Sequence, residues 1–421
     1  MGKAWLRQYG LVIAVGILVA VVSIVIFVVR QNGTSAAPTA THVTVTQSEP
    51  AQVVEDTKET DEFLAMWVPY FSLDMSGEKD KSEAAFQKKF DAVIQKAKES
   101  KMNTLIVQVR PFGDSFYPSR YFPWSGYLTG TQGIDPGYDP LQLMITDCHD
   151  AGLEFHAWIN PLRLQTNGVP KTMADSNPYL LWRGDKEKAD WCLPWEPTES
   201  VYLNPGIPEV RQYIANGIQE IVENYDVDGI HFDDYFYPTE EQSFDAATYQ
   251  QYKKTLATGK TPLSQAEWRK ANISSLVSLV YTTIKSAKQG VVFGISPQGN
   301  VENDLAIGAD VTAWCSTTGY VDYICPQLYY NFENPTLPFD RAANQWREMV
   351  SNSEMKLYFG LGVYKANSDL DEGTWKKSDD ILAQQVEYGR TVGCDGFAFY
   401  SYENLKRGDA QEEFRNVMKI L

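Results

Sequence analysis

From about residue 62 onward the chain repeats one pattern. A short run in which apolar residues alternate with polar or small ones gives way to a longer segment whose apolar residues recur every three or four positions. The first period belongs to a strand with one covered face, the second to an amphipathic helix. Eight strand-like runs follow from this reading: 65–71, 104–110, 154–160, 229–233, 291–296, 321–328, 356–364 and 396–402. The clearest helical segments are 82–100, 140–151, 207–225, 264–288, 339–351, 379–391 and 409–420, with a weaker one at 304–318. Such alternation predicts an α/β protein with a parallel sheet covered by helices. Eight units over residues 62–421 predict a (β/α)8 TIM barrel. A doubly wound open sheet is the alternative, but no glycine-rich phosphate loop follows any strand.

The two faces of the strands differ. In 154–160, Phe155, Ala157 and Ile159 alternate with His156, Trp158 and Asn160. In 104–110, Leu105, Val107 and Val109 alternate with Gln108 and Arg110. The apolar face is expected to meet the helices, and the polar or aromatic face to point into the barrel. In 396–402, Phe397, Phe399 and Ser401 share one face, which Glu403 continues, and the direction of that face stays open. Two long loops, 161–205 after the third strand and 235–262 after the fourth, are expected to wall a cleft at the barrel mouth.

The beginning of the chain is different. Residues 11–29 contain no charge and are long enough to span a bilayer as a helix. The run is longer than a usual signal-peptide core, so residues 1–30 read as a signal anchor rather than a cleaved signal. Lys3 and Arg7 precede it and Arg30 follows, which favours a cytoplasmic N-terminus and an exported remainder. Residues 31–61, rich in Thr, Ser, Ala and Pro, read as a flexible linker.

Charge narrows the partners. The 421-residue chain carries a net charge of −17, with 54 Asp and Glu against 37 Lys and Arg. Such a surface disfavours nucleic acid and anionic lipid and is compatible with a cationic polymer. The 11 Trp, 24 Tyr and 19 Phe suit stacking on sugar rings as well as core packing. Five cysteines without CxxC spacing, and histidines without HxH or HExxH spacing, predict neither a metal site nor a disulfide framework. No cofactor is implied.

The chemistry concentrates in Asp228-Gly-Ile-His-Phe-Asp-Asp-Tyr-Phe-Tyr-Pro238. Glycoside hydrolysis needs one protonated and one ionised carboxyl group, and close acids raise each other's proton affinity. Asp233 has the inward parity of His231 and is the leading acid. Asp234 follows at the strand end, where neighbours normally point apart, and reads as a supporting group. The second carboxylate is then sought on another strand. Glu403, Glu333 and Asp114 all follow strands at the active end of the barrel, and Glu403 is preferred.

Several longer stretches resemble one family. They include Asn103-Thr-Leu-Ile-Val-Gln-Val-Arg-Pro-Phe-Gly-Asp-Ser-Phe-Tyr-Pro118, Gly137-Tyr-Asp-Pro-Leu141 and Ala151-Gly-Leu-Glu-Phe-His-Ala-Trp-Ile-Asn-Pro-Leu-Arg163. Asp228–Pro238 and Pro326-Gln-Leu-Tyr-Tyr330 extend the match. The sequence resembles the glycosyl-hydrolase-like ten family of bacterial envelope proteins. The resemblance implies a (β/α)8 barrel and, from some members, cleavage of peptidoglycan glycan strands stripped of stem peptides. A related family, similar around Phe232-Asp-Asp234, implies partly deacetylated poly-N-acetylglucosamine as an alternative substrate. The opening Met66-Trp-Val-Pro-Tyr-Phe71 departs from the family's usual first strand, so the resemblance assigns no site residue there. Together with parity it places Arg110, His156, Trp158 and Asn160 along the cleft. Arg163, Tyr235, Gln327 and Tyr329 are expected to complete it by holding sugar hydroxyls and N-acetyl groups. The rival expectations are a non-catalytic glycan-binding barrel, a structural envelope protein and a lytic enzyme releasing anhydro-sugars.

Overall fold

The computed structural model describes residues 62–421. The expected signal anchor at 1–30 and linker at 31–61 lie outside the described residues. Among the described residues no helix is long and apolar enough to cross a membrane.

Eleven strands follow in chain order: β1 (Phe63–Val68), β2 (Thr104–Arg110), β3 (Glu154–Ile159), β4 (Arg163–Gln165), β5 (Cys192–Trp195), β6 (Ser200–Leu203), β7 (Gly229–Phe232), β8 (Val292–Ile295), β9 (Tyr323–Ile324), β10 (Lys356–Gly362) and β11 (Gly396–Tyr400). Eight of them close into a parallel barrel in the order β1-β11-β10-β9-β8-β7-β3-β2. The expected barrel is therefore the observed one. The first strand begins two residues earlier than its pattern indicated, and the sixth barrel strand shrinks to Tyr323 and Ile324.

The long insertion after β3 is not a bare loop. Its β4, β5 and β6 form a small antiparallel sheet in the order β4-β6-β5. The insertion after β7 likewise holds a helix, Ala246–Thr255. The weak helix at 304–318 is two short ones, Val301–Ala306 and Val311–Ser316.

The outer face of each strand meets the helices in one large apolar cluster. On β11 this face carries Phe397 and Phe399, the latter edge-on to Phe414 of the terminal helix at 5.4 Å. Ala398 and Tyr400 consequently point inward.

The barrel interior is filled in layers. At its base, Phe63 stacks on Tyr358 with ring centroids 3.9 Å apart. Above them Tyr323 lies across the barrel. It fits because Gly294 offers no side chain: a β-carbon there would sit 2.0 Å from the ring. The Tyr323 hydroxyl bridges His156 Nδ1 at 3.0 Å and His231 Nδ1 at 2.9 Å. Trp67 Nε1 donates to His231 Nε2 at 3.3 Å. An indole N–H can only donate, so the His231 proton sits on Nδ1 and is given to Tyr323. Tyr323 in turn donates to His156 Nδ1. Burial, reinforced by His156, pushes the His231 value well below its ordinary range and keeps the ring neutral.

Candidate active site

The barrel strands end on a cavity of about 240 Å³. It is lined by Trp67 of β1, Trp158 of β3, and Asp233, Asp234 and Tyr235 after β7. Ser296 after β8, Gln327 and Tyr329 after β9, Tyr364 after β10 and Tyr400 of β11 complete it. The floor and far wall are aromatic, and both carboxyl groups come from one strand end.

That last point corrects the expectation that Asp233 and Asp234 face apart. β7 stops at Phe232, so neither acid obeys strand alternation. The backbone N–H of Phe236 turns back to the Asp234 carbonyl at 3.0 Å, and the turn brings both carboxyls to the cavity.

Asp233 is buried and held from behind. Its Oδ2 accepts from Trp158 Nε1 at 3.0 Å and from Asn160 Nδ2. Its Oδ1 accepts only a long bond, 3.3 Å, from the Tyr235 backbone N–H. A proton on this carboxyl therefore belongs on Oδ1, because Oδ2 is occupied by two donors. Burial, and next the charge of Asp234, push the Asp233 carboxyl up to about 7. Burial also raises Asp234, but Gln327 Nε2, 3.0 Å from its Oδ1, opposes the rise. Both carboxyls are thus raised by burial, but Asp233 is raised further by its neighbour's charge while Asp234 has a donor opposing the rise.

Trp158, Tyr235, Gln327 and Tyr329 line the cavity as expected. Asn160 and Arg163 do not; they stand behind Asp233. Asn160 Oδ1 accepts from Gln108 Nε2 at 2.6 Å and from Arg163 Nη2 at 2.9 Å, which fixes its amide to donate forward. Arg163 is clamped by the Pro111 carbonyl at 2.7 Å and lies between the rings of Phe112 and Tyr235, 4.8 and 4.9 Å from their centroids.

Three expected site residues lie elsewhere. His156 has the inward parity but sits in the layer below, against Tyr323. Arg110 points out of the barrel altogether. The β2–β3 register slips at Val109, so Arg110 pairs with outward-facing Ile159. Its guanidinium packs 4.3 Å over Phe122 and beneath the helix Pro208–Asn224, where a β-carbon on Gly217 would lie 2.8 Å from Nη1. Glu403 turns away on the short helix Tyr402–Leu405 and pairs with Lys406 at 2.7 Å. The other two acids considered for its role also miss the cavity. Glu333 pairs with Lys377, and Asp114 is buried against Gln132, 3.2 Å from Oδ2.

Pattern reading missed Trp67, Ser296, Tyr364 and Tyr400. Trp67 was legible as the third member of the series Phe63, Ala65, Trp67. Ser296 has a buried hydroxyl without a hydrogen-bond partner, a group that a bound sugar would satisfy. Among the described residues no three His, Cys, Asp or Glu side chains converge to hold a metal.

Comparison with known proteins agrees with this architecture. The family model described as glycosyl hydrolase-like 10 matches residues 71–377. The chain belongs to the glycosyl hydrolase-like 10 family. Two relatives are glycosyl hydrolase YngK of Bacillus subtilis, 36% identical over 82% of this chain and 69% of its own length, and glycosyl hydrolase DigH of Escherichia coli, 35% identical over 71% and 70%. This glycosyl hydrolase-like 10 protein also shares its fold with more distant barrels. The PgaB (BpsB) glycoside hydrolase domain from Bordetella bronchiseptica superposes with a TM-score of 0.55 at 15% identity, over 85% of this chain and 98% of that one. Alpha-L-fucosidase isoenzyme 2 from Paenibacillus thiaminolyticus gives 0.53 at 13% identity, over 85% and 49%. Family membership supports a glycosidase.

Proposed function

We propose that the chain is an exported glycoside hydrolase that cleaves O-glycosyl bonds in cell-wall glycan, namely peptidoglycan strands lacking stem peptides. The carrying observation is one aromatic-walled cavity at the barrel mouth that receives two carboxyl groups of unlike environment. Asp233 serves as the acid that protonates the leaving oxygen, and Asp234 as the ionised partner. Trp67, Trp158 and Tyr400 offer faces and edges to sugar rings, and Ser296 and Gln327 offer polar contacts. The uncharged run at 11–29 is read as the tether that places the enzyme on the outer side of the membrane.

A second substrate, partly deacetylated poly-N-acetylglucosamine, is favoured by the net charge of −17, which attracts a polymer bearing free amines. Mass spectrometry of products from purified glycan strands, with and without stem peptides, beside that polymer, tests the proposal. New hydrated reducing ends from the stripped strands are expected. Anhydro-sugar ends, or preferential digestion of the deacetylated polymer, would replace this reading.

A further inference from the structure

The two acids occupy one side of the cavity, and what stands opposite decides the nucleophile. In the barrel order, β11 lies across from β7, flanked by β1 and β10. The wall facing Asp233 and Asp234 is therefore made by Tyr400, Trp67 and Tyr364. No carboxyl group lines that wall. Glu403, which follows β11, is turned out to Lys406.

The facing wall supplies neither of the second carboxylates that the usual geometries place across the sugar. An enzyme nucleophile needs its carboxylate across the sugar ring from the acid, about 5–5.5 Å away, and an inverting base needs about 6.5–9.5 Å with water between. Burial holds the Tyr400 phenol above its ordinary value, so it remains neutral, and no side-chain base is bonded to it. The far wall can support a sugar but cannot attack it or activate water.

Resting on the glycosidase reading, we propose that the nucleophile is the substrate's own 2-acetamido carbonyl oxygen, with Asp233 as acid and base and Asp234 accepting the amide N–H. Asp233 Oδ1 gives its proton to the glycosidic oxygen as the C1–O bond breaks. The acetamido oxygen closes onto C1 and forms a bicyclic oxazolinium whose positive charge sits beside Asp234. The one side-chain donor to Asp234 among the described residues, Gln327, takes Oδ1, which leaves Oδ2 for the amide. Water then attacks C1 and gives a proton to Asp233. The C1–O bond to the acyl oxygen breaks, and the acetamido group and the acid are both restored. The product keeps the anomeric configuration of the substrate. The scheme commits the site to 2-acetamido sugars at the scissile unit.

Stripped glycan strands can be chemically de-N-acetylated and then re-acylated with either acetyl or trifluoroacetyl groups. The trifluoroacetyl carbonyl is nearly the same size and a much poorer nucleophile. With the full chain, kcat on the trifluoroacetylated strands is expected to fall by about 100-fold, as loss of an intramolecular nucleophile requires. Proton NMR is expected to show retention, and a thiazoline made from a 2-acetamido sugar is expected to bind the wild type and to bind Asp234→Asn at least about tenfold more weakly. Inversion, or equal kcat on both acylated strands, would overturn the acetamido mechanism and leave the glycosidase reading standing. Failure to cut any glycan, with no thiazoline binding, would overturn both.

Discussion

His156 and Trp158 leave the same strand toward the same interior, two residues apart and so about 6–7 Å apart in height. Their surroundings differ in kind. His156 meets Tyr323 in a closed layer where the Trp67, His231 and Tyr323 donors are each matched to an acceptor. Trp158 meets Asp233 beside an open cavity where Ser296 keeps a hydroxyl unmatched. The base spends its polar groups on itself, His156 Nε2 excepted, whereas the mouth leaves the Ser296 hydroxyl open beside a cavity. Titratable and aromatic residues on the inward face are thus not in themselves a site. Height along the barrel decides.

The contrast can be broken from either end. The largest effect is expected at Asp233: Asp233→Asn should lower kcat on glycan strands by about 10³-fold while the fold is kept, because Asn can still accept from Trp158 and Asn160. Wild-type kcat/KM should also decline as pH rises through about 7, where Asp233 loses the proton it must donate. Stability should run in the same sense. Since the folded value lies above the ordinary 3.8, the contribution of Asp233 is complete below 3.8 and is lost as pH rises through about 7. Asp233→Asn should therefore melt above the wild type at pH 8 and level with it at pH 4, as calorimetry would show. A lower melting point for the variant at pH 8 would mean that the buried carboxylate is not a cost.

At the base, Tyr323→Phe removes the hydroxyl shared by two buried histidines. Urea unfolding should show a loss of about 1–3 kcal/mol, with kcat unchanged. A fall in kcat without a loss of stability would move the functional boundary down a layer. The smallest effect is expected at the rim. Glu403→Gln should alter stability by no more than about 0.5 kcal/mol and leave glycan cleavage within about twofold of wild type, since it loses only a half-exposed pair with Lys406.

The barrel was legible because eight repeats of two distinct periods leave few alternatives. Parity also gave the correct inward direction for His156 and Trp158. It could not give height, and so His156 was promoted to the cleft. A one-residue slip at Val109, invisible in an alternating apolar run, reversed Arg110. Parity also misled once the strand had ended: Asp233 and Asp234 were separated by a rule that stops applying at Phe232. The expectation of a distant partner acid, with Glu403 preferred, rests on that separation. Tyr400 was missed because β11 is apolar on both faces, and only its packing against Phe414 reveals which side turns outward.

The slip at Val109 has a consequence for inheritance. Arg110, turned outward, and the Phe122 ring it stacks on together fill the space over Gly217, where a β-carbon would lie 2.8 Å from both Arg110 Nη1 and Phe122 Cε2. Positions 110, 122 and 217 lie apart in the sequence but form one lock. A lineage that acquires alanine or anything larger at 217 must displace both the Arg110 and Phe122 side chains or move the helix, and loss of the arginine alone leaves the Phe122 ring in the way. Substitutions at these three positions should therefore travel together across relatives, independently of changes at the barrel mouth.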